Sequence, residues 1–150
     1  MTIRRIVVGL DGSRGSELAA GFTADLAAAL GADVVAVHSM GMLEDRGDGT
    51  KVPAETVRGE TAVVLETEWC QPLRDAGVAF HAEIVAGNPV TVLLDVADRE
   101  AADLVVVGSR GIGGISGLHL GSTSHEVAVR SPRPVVIVPD DTARKGDVRG

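Results

Sequence analysis

Aromatic side chains are nearly missing from this chain of 150 residues: Phe22, Trp69 and Phe80 are all of them, and there is no tyrosine. A core must then be filled by Val, Leu, Ile and Ala, which suits helices packed on a parallel sheet. Cysteine is reduced to Cys70 alone, so no intrachain disulfide can form, which fits a reducing cytosol. Positive charge is also scarce, with 14 Lys and Arg against 21 Asp and Glu and a net charge of −7. Nucleic acids and anionic membranes both need a basic surface, so neither is an expected partner. No apolar run approaches the length of a membrane span, and Met1-Thr-Ile-Arg-Arg5 leads into a strand without a signal-peptide core. The expectation is a soluble, cytoplasmic protein.

The familiar site motifs are missing too. No Gly-Lys-[Ser/Thr] follows a glycine loop, so there is no P-loop. The dinucleotide fingerprint fits Gly111 and Gly113 but meets Ser116 where its third glycine belongs. Gly-x-Ser-x-Gly does not occur as a nucleophile elbow, and no base with an orienting acid stands near the hydroxyls of Ser122 to Ser124. Neither His-x3-His nor a cysteine ligand pattern is present, which points away from a structural zinc.

What the chain does have is glycine, concentrated in one place. Six glycines fall in the fourteen positions from Gly108 to Gly121. The apolar run Leu104–Val107 leads in, and a helical segment, Ser122–Arg130, leads out. Such density costs folding entropy and marks backbone that turns tightly or approaches something closely. A strand, a glycine loop and a helix opening on hydroxyl residues together offer amide N–H groups, a helix dipole and side-chain donors to an anion. The stretch therefore reads as a phosphate cradle. A flexible loop before an N-capped helix is the plainer reading.

In chain order, Ile6–Val8 opens a buried strand that ends at Gly9-Leu-Asp11-Gly12-Ser13. Ser13 or Ser16 caps a helix whose apolar stripe is Leu18, Phe22, Leu26 and Leu30, with Gly31 as its stop. Val34–His38 is a second strand, and Ser39 to Pro53 reads as a long surface loop. A second helix is expected from Ala54 toward Ala76, with Val57, Leu65, Trp69 and Leu73 on one face and Pro72 kinking or ending it. Val78–Val85 is strand three, and Pro89 starts a third helix that buries Val92, Leu93, Val96 and Ala97. Leu104–Val107 is strand four, and Val135–Val138 is strand five, reached through Pro132-Arg-Pro134. Residues 1–139 form one α/β domain, and 140–150 a charged tail. The strict alternation of strand and helix implies an open parallel sheet covered on both faces. Ligands in such sheets sit beyond the carboxyl ends of the strands, where the winding reverses. Two of those ends, after strands one and four, carry unusual chemistry.

The spacing Gly108-x2-Gly111-x9-Gly121-Ser122 resembles the nucleotide signature of the universal stress protein family, in its ATP-binding branch. So do Ile6-Val-Val-Gly-Leu-Asp-Gly-Ser13, Asp103-Leu-Val-Val-Val-Gly-Ser-Arg-Gly111 and Ser131-Pro-Arg-Pro-Val-Val-Ile-Val-Pro139, in the right order. The resemblance implies a Rossmann-like open α/β sandwich of five parallel strands in the order 3-2-1-4-5. It also implies a homodimer paired through Val135–Val138 and a stress-response module that binds ATP with little or slow hydrolysis. Thr123 departs from the apolar residue often found between the two hydroxyl positions. A hydrolase or ligase of the related adenine-nucleotide class and a nucleotide-free interaction module are the alternatives. The first wants a Ser-Gly-Gly loop after strand one, where this chain has Gly9-Leu-Asp-Gly12.

The nucleotide contacts expected on these grounds are Gly9, Asp11, Ser39, Val107, Gly108, Arg110, Gly111, Gly113, Gly121, Ser122, Thr123 and Ser124. By resemblance Asp11 binds the adenosine part; by its surroundings it can equally make an Asx-turn or cap a helix. Ser39 is either a backbone contact to adenine or an ordinary loop residue. Arg110 either neutralises phosphate or faces solvent. His38 reads as a hydrogen-bonded core residue and His81 as strand surface; His119 reads as solvent-facing or as an approach to phosphate, and His125, near the start of its helix, as solvent-facing or within reach of the crevice. Any metal would be Mg²⁺ or Mn²⁺ brought with the nucleotide phosphates, for which Asp11 is a candidate outer-sphere group. A regulatory protein partner is expected but not identified.

Overall fold

The computed structural model describes residues 2–41, 43–45, 49–110 and 121–140. Five strands form one parallel sheet: β1 (Arg5–Gly9), β2 (Asp33–Met40), β5 (Phe80–Ala86), β6 (Leu104–Gly108) and β7 (Val135–Val138). Their order across the sheet is β5-β2-β1-β6-β7, which is 3-2-1-4-5 once the five are counted along the chain. The register sets Val7 beside Val35 on one side and beside Val105 on the other. Side chains alternate between two cores. Ile6, Val8, Ala36 and Val106 face helix α1 (Arg14–Leu30), whereas Val7, Val35, Val37, Val105 and Val107 face α4 (Pro89–Arg99) and α5 (Ser122–Arg130). Strands buried on both faces explain why β1, β2 and β6 read as unbroken apolar runs.

Part of the expected surface loop from Ser39 to Pro53 is strand instead. Strand β2 runs on through Ser39 to Met40, and β3 (Leu43–Asp45) pairs antiparallel with β4 (Lys51–Pro53). The expected single helix after it is three pieces: α2 (Ala54–Val64), a wide π-turn over Leu65–Trp69, and α3 (Gln71–Asp75). Pro72 has no N–H to give the Glu68 carbonyl, and its ring would clash there, so a regular helix cannot pass through. The chain widens one turn earlier, where Cys70 N–H reaches Leu65 O at 3.0 Å. The buried face still matches expectation, because Val57, Leu65 and Leu73 are in the interior. Burial also pushes the Cys70 thiol up to about 11.

Helix α1 begins where Ser13 Oγ accepts from Ser16 N–H at 3.2 Å and ends at Gly31, in the left-handed region at φ 67°. Its buried face corrects the stripe expected from sequence. Phe22 and Leu30 are exposed, and the interior residues are Gly15, Ser16, Ala19, Ala20, Thr23, Ala24 and Ala27. The cause is distance. A Cβ on Gly15 would lie 2.1 Å from the Arg110 carbonyl oxygen, and one on Gly108 would lie 2.5 Å from the Gly15 carbonyl oxygen. With backbones this close, only small side chains fit beneath the helix. No helix among the described residues is long and apolar enough to cross a membrane.

Candidate functional site

Strands β1 and β6 are neighbours, yet the chain leaves β1 toward β2 and leaves β6 toward β7. This reversal opens a crevice beyond their carboxyl ends, the usual ligand position in an open α/β sheet. Asp11 stands on one side of it and Gly108-Ser109-Arg110 on the other. The Gly15–Gly108 approach sets the start of α1 directly against the end of β6, so the residues that follow β1 lie beside Gly108-Ser109-Arg110.

The β1 side is built by local hydrogen bonds. Asp11 Oδ1 accepts from Ser13 N–H at 2.9 Å, and Asp11 N–H donates to Ser16 Oγ at 3.2 Å. The Asx-turn anticipated as one reading of Asp11 is therefore present, and it fixes the carboxylate at the crevice rim. Gly12 has φ 81°, and a Cβ there would meet Trp69 Cζ2 at 2.6 Å. Trp69 in turn meets the edge of His38, with ring centroids 5.1 Å apart. His38 Nδ1 lies 2.8 Å from Leu10 O; a carbonyl only accepts, so Nδ1 carries the proton. His38 is thus the hydrogen-bonded residue expected, half-buried rather than fully interior. The Gly12–Trp69–His38 wall was not foreseen. Its signal was a lone tryptophan on a helix face in a chain almost without aromatics. Gly9 turns toward the other layer, where a Cβ would sit 3.2 Å from Leu93, so its smallness serves α4 packing. Ser39 lies within β2 opposite Val85, not after the strand.

The β6 side is clasped at its base. Gly121 N–H donates to Ser109 O at 2.7 Å, and Ser109 N–H donates to Val138 O at 2.9 Å. Ser124 Oγ lies 2.9 Å from Ser109 O and 3.0 Å from Gly121 O, and the residue is only 2% exposed. Its hydroxyl is therefore committed to fastening the neck, a different duty from the ligand contact expected of it. Ser122 is exposed and Thr123 half-buried at the start of α5. The residue before them, Gly121, has no side chain to cap the first turn, which leaves amide N–H groups for an anion. Val107 is buried in the sheet beneath. Gly111, Gly113 and His119 lie outside the described residues, and so does the tail from 141 onward.

Arg110 faces neither open solvent nor bare phosphate space. Its Nη2 lies 3.3 Å from Asp140 Oδ2, and the two side chains are 11% and 16% exposed. Asp140, expected to begin a frayed tail, is thus the counter-ion of the loop's arginine. Between Gly108 and Val129 the chain has no other Lys or Arg. Among the described residues, the mouth presents backbone amides, the hydroxyls of Ser122 and Thr123, the Asp11 carboxylate and the paired guanidinium of Arg110. That set suits a ligand with both a hydroxyl-bearing, hydrogen-bonding part and an anionic part.

A model of the universal stress protein family matches residues 2–139. A universal stress protein of Mycobacterium tuberculosis is 37% identical over 147 residues, covering 92% of this chain but 45% of that protein. The chain thus spans about half the length of the mycobacterial relatives it matches. A universal stress protein of Thermus aquaticus is 33% identical over 137 residues, with 90% of this chain and 98% of that one covered. Among solved structures, a universal stress protein in complex with cAMP is 30% identical at a TM-score of 0.71, covering 93% of this chain and 99% of the other. The likeness runs through every strand and both sides of the crevice, and the chain belongs to the universal stress protein family.

Proposed function

We propose that this protein is an ATP-binding regulatory module of the stress response, which holds adenine nucleotide and turns it over slowly if at all. The observation that carries the reading is the uncapped start of α5 clasped to the end of β6, directly across from the fixed carboxylate of Asp11. The cAMP complex of a relative at 30% identity supports an adenine nucleotide as the ligand class. In this reading the phosphates lie over the stretch from Gly108 to Thr123 and the adenosine lies near Asp11 and Ser39. Gly9, Val107 and Ser124 shape the floor and neck beneath it. Arg110 meets the phosphates from its seat beside Asp140. Mg²⁺ or Mn²⁺ would arrive with the phosphates and neutralise part of their charge.

Fast hydrolysis needs a positioned base and strong stabilisation of developing phosphate charge. Here the nearest arginine is already paired to a carboxylate, and Asp11 is engaged in an Asx-turn. Titration calorimetry with ATP tests the assignment. Replacing Gly121 with a bulky residue should abolish binding, because the side chain would enter the phosphate path. Asp11→Ala should weaken binding by about 1–3 kcal/mol, the cost of removing a partner from a hydrogen-bonded group. Unchanged titrations for both variants would refute the site, and turnover at about 1–100 s⁻¹, the range of ordinary kinases, would refute slow hydrolysis.

A further inference from the structure

Far from the crevice, near the amino end of edge strand β5, three ligand-type side chains converge. His81 and Glu83 are two apart on the strand, so they share one face. Glu100 arrives from the residue that closes α4. His81 Nε2 lies 3.2 Å from Glu83 Oε2 and 3.3 Å from Glu100 Oε1, and one ligand atom from each residue falls within 4.8 Å of the others. Neighbouring ligand atoms around a tetrahedral zinc, with bonds of roughly 2.0–2.1 Å, are separated by about 3.3 Å. The two distances from His81 are therefore those of coordination edges.

Proton bookkeeping also favours a cation. An Nε2–H has one proton, and it faces two carboxylates. A metal ion in that position would serve both carboxylates and the imidazole at once. The glutamates are held in place from outside. Arg99 Nη2 contacts both oxygens of Glu83 at 2.6 and 2.7 Å, and Arg5 Nη1 lies 3.2 Å from the Glu100 carbonyl oxygen. Both glutamate side chains are mostly buried, at 24% and 20% exposure, while His81 remains open at 56%. Arg99 thus orients the Glu83 carboxylate as the outer partner of a metal ligand does, while Arg5 fixes the backbone from which Glu100 projects. One imidazole with two carboxylates suits a borderline transition metal better than Mg²⁺ or Ca²⁺, which prefer oxygen alone.

We propose that His81, Glu83 and Glu100 form a divalent transition-metal site, best fitted to zinc, that staples edge strand β5 to the C-terminal end of α4. Water completes the coordination on the open side of His81. No local sequence pattern announces it, because the third ligand comes seventeen residues after the second.

The test is calorimetric titration of chelator-treated, nucleotide-free protein with zinc chloride alone at neutral pH. Wild type is expected to take up one equivalent at this site, with melting temperature rising on saturation. His81→Ala and Glu100→Gln should each weaken that uptake by about tenfold or more. Circular dichroism checks that both variants fold; if His81→Ala does not, Glu100→Gln, which keeps the side-chain shape, decides alone. Loss of zinc affinity in a folded variant supports the site. Uptake by wild type only at millimolar zinc, or unchanged affinity in the folded variants, overturns it. Neither residue lies at the crevice, so a failed nucleotide titration has no bearing on this result.

Discussion

The carboxylate of Asp103 accepts from two consecutive amides, Arg4 N–H at 2.8 Å and Arg5 N–H at 3.1 Å, where β1 begins beside β6. The Arg4 amide first, and then the Arg5 amide, hold its pKa below the usual carboxylate range. A depressed folded value means the ionised form is favoured by folding. Its contribution is therefore complete above the unfolded value of about 3.9 and disappears as pH falls through the lower folded value. Asp103→Ala should lower the urea midpoint at neutral pH, and the gap to wild type should shrink steadily as the solution is acidified. A gap that does not depend on pH would show that the charge is irrelevant. Residues of this kind mark the limit of reading a sequence. Asp103 stands out only as the polar residue before an apolar run; that it stitches another strand becomes visible when β1 and β6 are neighbours. The Asx-turn at Asp11 was legible because its partner amide lies only two residues onward. Arg110 was not, because its partner Asp140 lies thirty residues onward at the end of a different strand.

At the scale of elements, apolar runs between turn residues identified the strands of the five-stranded sheet, and helical periodicity after Pro89 identified the face of α4. It misjudged α1. A stripe of Leu and Phe is the natural guess for a helix on a sheet, but the helix comes too near for large side chains, and alanines go inward. That distance is set by two glycines 93 positions apart, which no local window contains. Replacing Gly108 with Ala would set a methyl group 2.5 Å from the Gly15 carbonyl oxygen, so α1 must shift. The expected loss is about 1–3 kcal/mol in chemical unfolding, the usual cost of overfilling a close-packed contact. Gly21 is the control in the same helix. A Cβ there meets nothing within 4 Å, so Gly21→Ala should stabilise by about 0.5–1 kcal/mol through helix propensity alone. Equal effects of the two substitutions would mean that the glycine pair does not set the packing distance. The same Gly15–Gly108 approach joins the two sides of the crevice, so the Ala variant also tests whether that geometry is needed for nucleotide binding.

For the molecule as a whole, the open question is what meets the edge at β7. Val135, Val136, Ile137 and Val138 are all half-buried, and among the described residues β7 pairs with β6 alone. One row of its N–H and C=O groups therefore faces outward from an entirely apolar strand, a surface that invites another strand. Pro134 and Pro139 bracket it, which limits pairing to a short, defined register rather than open-ended growth. The ion pair of Arg110 with Asp140 anchors the chain immediately beyond the strand and keeps that end in position. We propose that two copies join here by antiparallel pairing of β7 about a two-fold axis, an isologous contact that closes both edges at once. The alternative is a monomer whose tail folds over the same edge. Light scattering across a concentration series separates them, because tail closure is independent of concentration and pairing is not. Ile137→Lys sets a charge at the centre of the strand and should shift the assembly toward monomer, with circular dichroism confirming the fold. A wild type that stays monomeric at high concentration, or a folded Lys variant that stays fully dimeric, would show that the edge is covered in some other way.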